Sequence, residues 1–86
     1  MKHAGPQALE ALAPLLRALR EDTTLVERTP GSFYRKSKAF LHFHEDLSGL
    51  FADLKEDGAS FTRYRVSTRE EQKALLSRVS RFAARP

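Results

Sequence analysis

The chain has 86 residues, a mass of 9.8 kDa and no cysteine, and 41% of its residues are hydrophobic. This length fits one domain with one small core, and the lack of cysteine excludes disulfides, thiol catalysis and cysteine-containing zinc sites. The net charge is +4, and residues 67–86 alone carry five basic and two acidic side chains. No apolar run approaches the roughly 20 residues of a membrane span, and the first residues lack the apolar run of a signal peptide. We therefore expect a cytoplasmic protein with no membrane partner.

The N-terminal part predicts a leader followed by a helix. We expect residues 1–6 to be a mobile leader and residues 7–86 to form a single domain. Over residues 7–20 leucine recurs at helical spacing. Pro14 interrupts this stripe, because its ring would clash with the carbonyl four residues earlier. The segment is either one kinked helix, which we favour, or a short helix followed by a second one with Pro14 in its first turn.

The middle of the chain predicts strands joined by turns such as Pro30-Gly31 and Asp57-Gly58. The predicted strands are Thr24–Thr29, Ser32–Ser37, Ala39–Glu45, Gly49–Lys55 and Ser60–Val66. A final helix, roughly residues 68–84, would begin with a capping box of Ser67 with Glu70 or of Thr68 with Glu71. Because hairpins connect the strands, we expect an α+β fold, an antiparallel sheet of three to five short strands with an N-terminal and a C-terminal helix packed on one face.

The register of the central hairpin follows from its alternation. A two-residue loop at Leu47-Ser48 places Leu41 opposite Leu54 and Phe43 opposite Ala52, whereas a slip of one residue mixes apolar with polar side chains. The core would then receive Leu41, Phe43, Leu50, Ala52 and Leu54. The opposite face would carry His42 opposite Asp53, His44 opposite Phe51, and also Phe33, Phe40 and Tyr64.

His42, His44 and Asp53 form the first candidate site. Two histidines two residues apart on a strand point the same way, and a carboxylate across the ladder completes a set that suits divalent iron, zinc or manganese. The alternative is structural, with His42 hydrogen-bonded to Asp53 and His44 stacked on Phe51. A divalent metal is the one cofactor this pattern suggests. A broader ligand site on this face would add Phe51, Phe40, Tyr64 and Arg35.

Two basic segments suggest nucleic-acid binding. The stretch Phe33–Phe40 interleaves aromatic and basic residues as single-strand binders do, but it lacks the fuller RNP1-type pattern. Arg78, Arg81 and Arg85 follow one flank of the final helix, where they would meet phosphates or an acidic partner, or only stabilise the helix C-terminus. With so few phosphate contacts, nucleic acid is the third interpretation and not the partner we expect.

The run FYRKSKAFLHFHED at residues 33–46, followed by LSGLFADLK, resembles a pattern in small bacterial proteins of unknown function. The resemblance implies a cytoplasmic location and assigns no residue a role. No nucleophile elbow or glycine-rich phosphate loop is present, so an enzyme is the minority interpretation. We expect a noncatalytic binding or interaction domain that forms a homodimer through the aromatic sheet face, because the exposed rings would make a large apolar patch on a monomer. The alternative is a metal- or ligand-binding protein that uses the histidine face.

Overall fold

The computed structural model describes residues 1–83, in which six strands and three helices form an α+β fold with an antiparallel sheet. The elements in chain order are β1 (Lys2–His3), α1 (Pro6–Ala11), α2 (Ala13–Arg20), β2 (Val26–Thr29), β3 (Ser32–Arg35), β4 (Lys38–Asp46), β5 (Gly49–Leu54), β6 (Thr62–Arg65) and α3 (Arg69–Ala83). The predicted fold class is confirmed, and the sheet has one strand more than the largest number expected.

The sheet runs in the order β2-β3-β4-β5-β6, and β1 pairs with β4 beyond the end of β3. The sequence predicts a mobile leader over residues 1–6, but this segment contains β1. His3 pairs with His44, and the Ala4 N–H donates a 3.1 Å hydrogen bond to the Phe43 carbonyl. The N-terminal residues therefore contribute a strand to the sheet and a side chain to one of its faces.

The register of β4 against β5 is the predicted one. Leu41 lies opposite Leu54, and Phe43 lies opposite Ala52. The connection is the predicted two-residue loop, in which the Asp46 carboxylate accepts hydrogen bonds from the backbone N–H and hydroxyl of Ser48, at 2.8 and 2.5 Å. Alternation then places the apolar set of both strands on one face and the histidines on the other.

The hydrophobic core lies between the helices and the apolar face of the sheet. It is one cluster made of Leu12, Leu15, Leu16, Leu19, Phe33, Phe40, Leu41, Phe43, Ala52, Leu54, Val66, Leu75 and Val79. Burying one large apolar side chain contributes about 1.5–3 kcal/mol, so these contacts hold the helices on the sheet.

The N-terminal helical segment is divided in two at Leu12, whose φ of −91° and ψ of 3° separate α1 from α2. The favoured prediction of one kinked helix is wrong, and the alternative is right. Pro14 lies in the first turn of α2. Backbone N–H groups in a first turn make no intrahelical hydrogen bond, so proline loses none there, and its fixed φ is already helical.

A β-bulge in β4 changes the direction of Phe40. Phe33 pairs with Leu41 and Tyr34 pairs with Ala39, so Phe40 is an extra residue between these two pairs. Its side chain is 4% exposed and belongs to the core, with its ring centroid 5.2 Å from that of Phe82 in α3. The prediction that Phe40 shares the histidine face is therefore wrong.

Two other aromatic residues also lie on the helix side. Phe33 is a fully buried core residue. Tyr64 pairs with Ala52, packs against the core, and donates a short hydrogen bond from its hydroxyl to the Glu56 carboxylate. The placement of Phe33 and Tyr64 on the histidine face is wrong, because in β3 and β6 they occupy positions facing the core.

Helix α3 begins with one of the two predicted capping boxes. The Glu71 N–H donates to Thr68 Oγ1 at 3.1 Å, and the Thr68 N–H donates to Glu71 Oε1 at 2.9 Å. The predicted end of this helix at residue 84 lies outside the described residues. With its first turn fixed in this way, α3 packs Leu75 and Val79 onto the sheet.

Candidate metal centre

The sheet face opposite the helices carries three histidines from two neighbouring strands. His42 and His44 are two residues apart on β4, and His3 on β1 is paired with His44. Residues paired across an antiparallel ladder point to the same face. The pairing of β1 with β4 therefore brings His3 beside the two histidines that the sequence singles out.

The three imidazoles converge closely enough to hold a metal ion. One ligand nitrogen from each of His3, His42 and His44 lies within 4.8 Å of the others. The Nδ1 of His42 and the Nε2 of His44 are 2.8 Å apart, and the His3 and His44 ring centroids are 4.6 Å apart. Two nitrogens on one tetrahedral zinc, each at 2.0–2.1 Å, lie about 3.3 Å from each other. Small side-chain adjustments therefore bring this group to coordination distance.

Asp53 lies beside the cluster, but its carboxylate is already engaged. Its Oδ1 accepts a 2.8 Å hydrogen bond from Arg63 Nε, and its Oδ2 accepts a 2.9 Å bond from Arg63 Nη2. The same Oδ2 lies 3.2 Å from His44 Nε2. The hydrogen bonds from Arg63 hold the pKa of Asp53 below its usual value. Asp53 is thus an ionised group in contact with His44 Nε2, the same ring nitrogen that faces His42.

Burial favours the neutral form of the two central histidines. It lowers the pKa of both His42 and His44, and the positive charge of Arg63 lowers them further, whereas the charge of Asp53 acts in the opposite direction. A neutral imidazole is the form that binds a metal ion. At neutral pH both groups are therefore ready to act as ligands.

An aromatic side chain covers one edge of the cluster. The Phe61 ring meets the His42 ring edge-on, with centroids 4.6 Å apart, and Lys55 Nζ lies 4.8 Å from the Phe61 centroid. Phe61 is 38% exposed, so this ring itself remains partly open to solvent. Phe51, paired with His44, lies under the guanidinium of Arg65 at 5.9 Å.

Several residues predicted for this site lie elsewhere. Phe40 and Tyr64 face the helices, and Arg35 lies over the Phe82 ring at 4.8 Å, also on the helix side. The expected homodimer depends on four aromatic rings at this face. Of those four, the structure leaves only Phe51 there, with Phe61 added, so the face offers less apolar area for self-association.

The basic row of the final helix is partly occupied by contacts within the chain. Arg78 pairs with Glu56 at 3.3 Å and lies over the Tyr64 ring at 4.4 Å. Arg81 donates to the Ser77 carbonyl at 3.4 Å. Arg85 lies outside the described residues. Arg78 is therefore paired within the chain, and the binding of phosphates or of an acidic partner by this row stays a prediction.

Sequence reasoning missed His3 and Arg63 as members of the site. A two-residue strand has no periodicity, so nothing near His3 in the sequence predicts its pairing with β4. Arg63 is opposite Asp53 on β6, but the connection from β5 is too long for a turn type to fix that register. The sequence pattern of residues 60–66 therefore predicts a strand but does not predict which residues of β5 it pairs with.

Two further findings bear on the class of protein. Among the helices within residues 1–83, none has both the length and the apolar character needed to cross a membrane. Comparison with family models, with curated proteins and with solved structures finds no match to this chain.

Proposed function

We propose that this chain is a divalent-metal-binding protein whose ligands are His3, His42 and His44. The observation that carries the proposal is the convergence of three imidazole nitrogens within 4.8 Å on paired strands. Imidazole nitrogen suits zinc, copper, iron and nickel, and it does not suit magnesium or calcium, which prefer oxygen ligands. Zn²⁺ is the natural first probe because three histidines are one of its established ligand sets.

The proposed centre has an open position. Three protein ligands leave the fourth corner of a tetrahedron to water or to an added ligand, which is the arrangement of catalytic and not of structural zinc sites. His3 is exposed, so the metal would be accessible from solvent. We therefore expect the bound metal to take up small anionic ligands as well.

One feature of His44 limits the affinity. If the metal takes its Nε2, the imidazole proton moves to Nδ1, which is buried and has no hydrogen-bond partner within the described residues. Metal-binding histidines usually donate this proton to an acceptor, and loss of such an acceptor weakens binding about 10–100-fold. We therefore expect weaker zinc binding than at a three-histidine site in which every imidazole donates its second proton to an acceptor.

Calorimetric titration with Zn²⁺ at pH 7.5 tests the proposal. The chain should bind one ion, His42→Gln or His44→Gln should abolish binding, and His3→Gln should weaken it at least tenfold. Lys2→Gln is the matched control, because it changes the neighbouring residue of the same short strand and removes no ligand. Co²⁺ should give the visible absorption of a tetrahedral site. Absence of binding at 100 µM Zn²⁺, or equal affinity in the His3→Gln and Lys2→Gln variants, would contradict the proposal.

A further inference from the structure

A cavity lies on the helix side, between the β3–β4 turn and the end of α3. Its volume is about 200 Å³, and its walls include four cationic side chains and two phenyl rings: Arg35, Lys36, Lys38, Lys55, Phe40 and Phe82. None of the histidines lines it. It is therefore separate from the candidate metal centre.

The cations around this cavity have no acidic partner within the described residues, although the Lys55 ammonium lies over the Phe61 ring beside the histidines. No acidic residue is among its lining residues, and none of the four cations forms an ion pair within residues 1–83. The Nε of Arg35 is buried and has no hydrogen-bond partner in the described part of the chain. A buried donor without a partner is unfavourable, and a ligand oxygen that reached it would satisfy it.

The turn that brings two of these cations together is unusual. Lys36 and Ser37 form a two-residue hairpin loop with φ values of +52° and +66°. Asn-Gly is the favoured sequence in such a turn, because other residues adopt positive φ at a cost. The chain instead places Lys36 there, with Lys38 directly after the turn. Less favourable backbone positions of this kind concentrate at ligand sites.

The wall between the cations is apolar. The Phe40 and Phe82 ring centroids are 5.2 Å apart, and the Arg35 guanidinium lies over the Phe82 ring. A ligand that fits needs an anionic group for the cations and an apolar group for the rings. The volume limits it to a small molecule.

We propose that this cavity binds a small organic phosphate. A phosphate monoester carries close to two negative charges at neutral pH and three strong acceptor oxygens, as a phosphorylated side chain does. Arg35 would contact it through its planar fork, and Lys36 and Lys38 would contact it as point charges. The ester group would pack against Phe40 and Phe82. This assignment uses the aromatic and basic stretch Phe33–Phe40, which the metal centre leaves unexplained.

Chemical-shift mapping by NMR tests this inference, with phenyl phosphate, inorganic phosphate and phenol as probes in 150 mM salt with a chelator present. Phenyl phosphate should shift the backbone resonances of residues 35–40 and of Gly58, and should bind at least fivefold more tightly than either fragment. Equal affinity for phenyl phosphate and inorganic phosphate would overturn the role of the rings. Shifts confined to the histidine face would overturn the location.

Variants separate the cavity from general basicity. Arg35→Gln and the double variant Lys36→Gln/Lys38→Gln should each weaken phenyl phosphate binding at least fivefold. Arg28→Gln is the control, because the Arg28 guanidinium also lies over an aromatic ring, that of Tyr34 at 4.4 Å, outside the cavity. The double variant changes two exposed side chains, so we expect it to fold. Its affinity for phenyl phosphate can therefore be measured even if Arg35→Gln fails to fold. An equal loss of affinity in Arg28→Gln would overturn the proposal.

Discussion

Asp53 and Arg63 face each other across β5 and β6 and share two hydrogen bonds, of 2.8 and 2.9 Å. Asp53 is buried, at 7% exposure, whereas Arg63 is exposed. A buried carboxylate needs a partner to remain charged, and the bidentate guanidinium supplies one from the solvent side. The pair fixes an anion beside His44, and the charge of Asp53 opposes the lowering of the His42 and His44 pKa values by burial.

Removing this guanidinium should change the titration of Asp53. In Arg63→Gln we expect the pKa of Asp53 to rise, because the hydrogen bonds from Arg63 are the largest cause of its lowered value. A carboxylate whose folded pKa is lowered stabilises the fold above its unfolded pKa and loses that contribution as the pH falls. The stability lost in the variant should therefore be largest above pH 3.8, the ordinary value, and should shrink below it. NMR titration of the Asp53 carboxyl carbon measures the pKa.

The control for this variant is Arg69→Gln, which removes an exposed arginine at the start of α3. It should leave the Asp53 titration unchanged. An Asp53 pKa that is the same in wild type and Arg63→Gln would contradict the role given to the pair.

The register of the central hairpin could be predicted because two independent features of its sequence specify it. Alternation from Leu41 to Phe43 and from Ala52 to Leu54 assigns the core face, and the turn residues around Leu47 set the loop length. Both signals agree, and a slip of one residue would place Asp53 opposite the apolar side chain of Phe43. The opposition of His42 and Asp53 follows from this register without any knowledge of the rest of the fold.

The remaining parts of the site depend on contacts distant in sequence. Phe40 and Leu41 are adjacent, so simple alternation assigns them to opposite faces. Only the bulge, stabilised by the contact with Phe82 more than forty residues away, puts both in the core. The pairing of His3 with His44 is equally non-local. Local pattern cannot predict such contacts, because their favourable free energy comes from packing and not from backbone preference.

The position of Phe40 can be tested by stability. Phe40→Ala should lower the free energy of unfolding by about 3–5 kcal/mol, because it empties a core site beside Phe82. Phe61→Ala, at a residue 38% exposed, should lower it by less than about 1 kcal/mol. Urea unfolding followed by circular dichroism measures both. Similar losses in the two variants would mean that Phe40 is not a core residue.

The packing of α3 gives a second stability test. Leu75 is 1% exposed in the core cluster, whereas Leu47 at the tip of the β4–β5 turn is fully exposed. Leu75→Ala should cost about 2–5 kcal/mol, and Leu47→Ala should change stability by no more than about 0.5 kcal/mol. The thermal unfolding midpoint distinguishes the two cases, and an unchanged midpoint in Leu75→Ala would contradict the packing of α3 on the sheet.

The histidine cluster should make the metal-free protein less stable as the pH falls. The folded pKa values of His42 and His44 lie below the ordinary value of 6.5, so the unfolded chain binds protons first as the pH is lowered. Stability then rises with pH wherever the unfolded state holds more protons. The contribution of the two histidines is fully present above pH 6.5, falls as the pH drops below that value, and levels off once the folded protein is protonated as well. His3, Asp53 and Arg63 also face the cluster, and Asp53 opposes the effect without reversing it.

Urea midpoints measured with a chelator between pH 5 and 7.5 should show this decrease in the wild type. The His42→Gln/His44→Gln variant should show a much smaller one, because glutamine does not titrate, and parallel curves for the two proteins would contradict the burial of neutral histidines at this face.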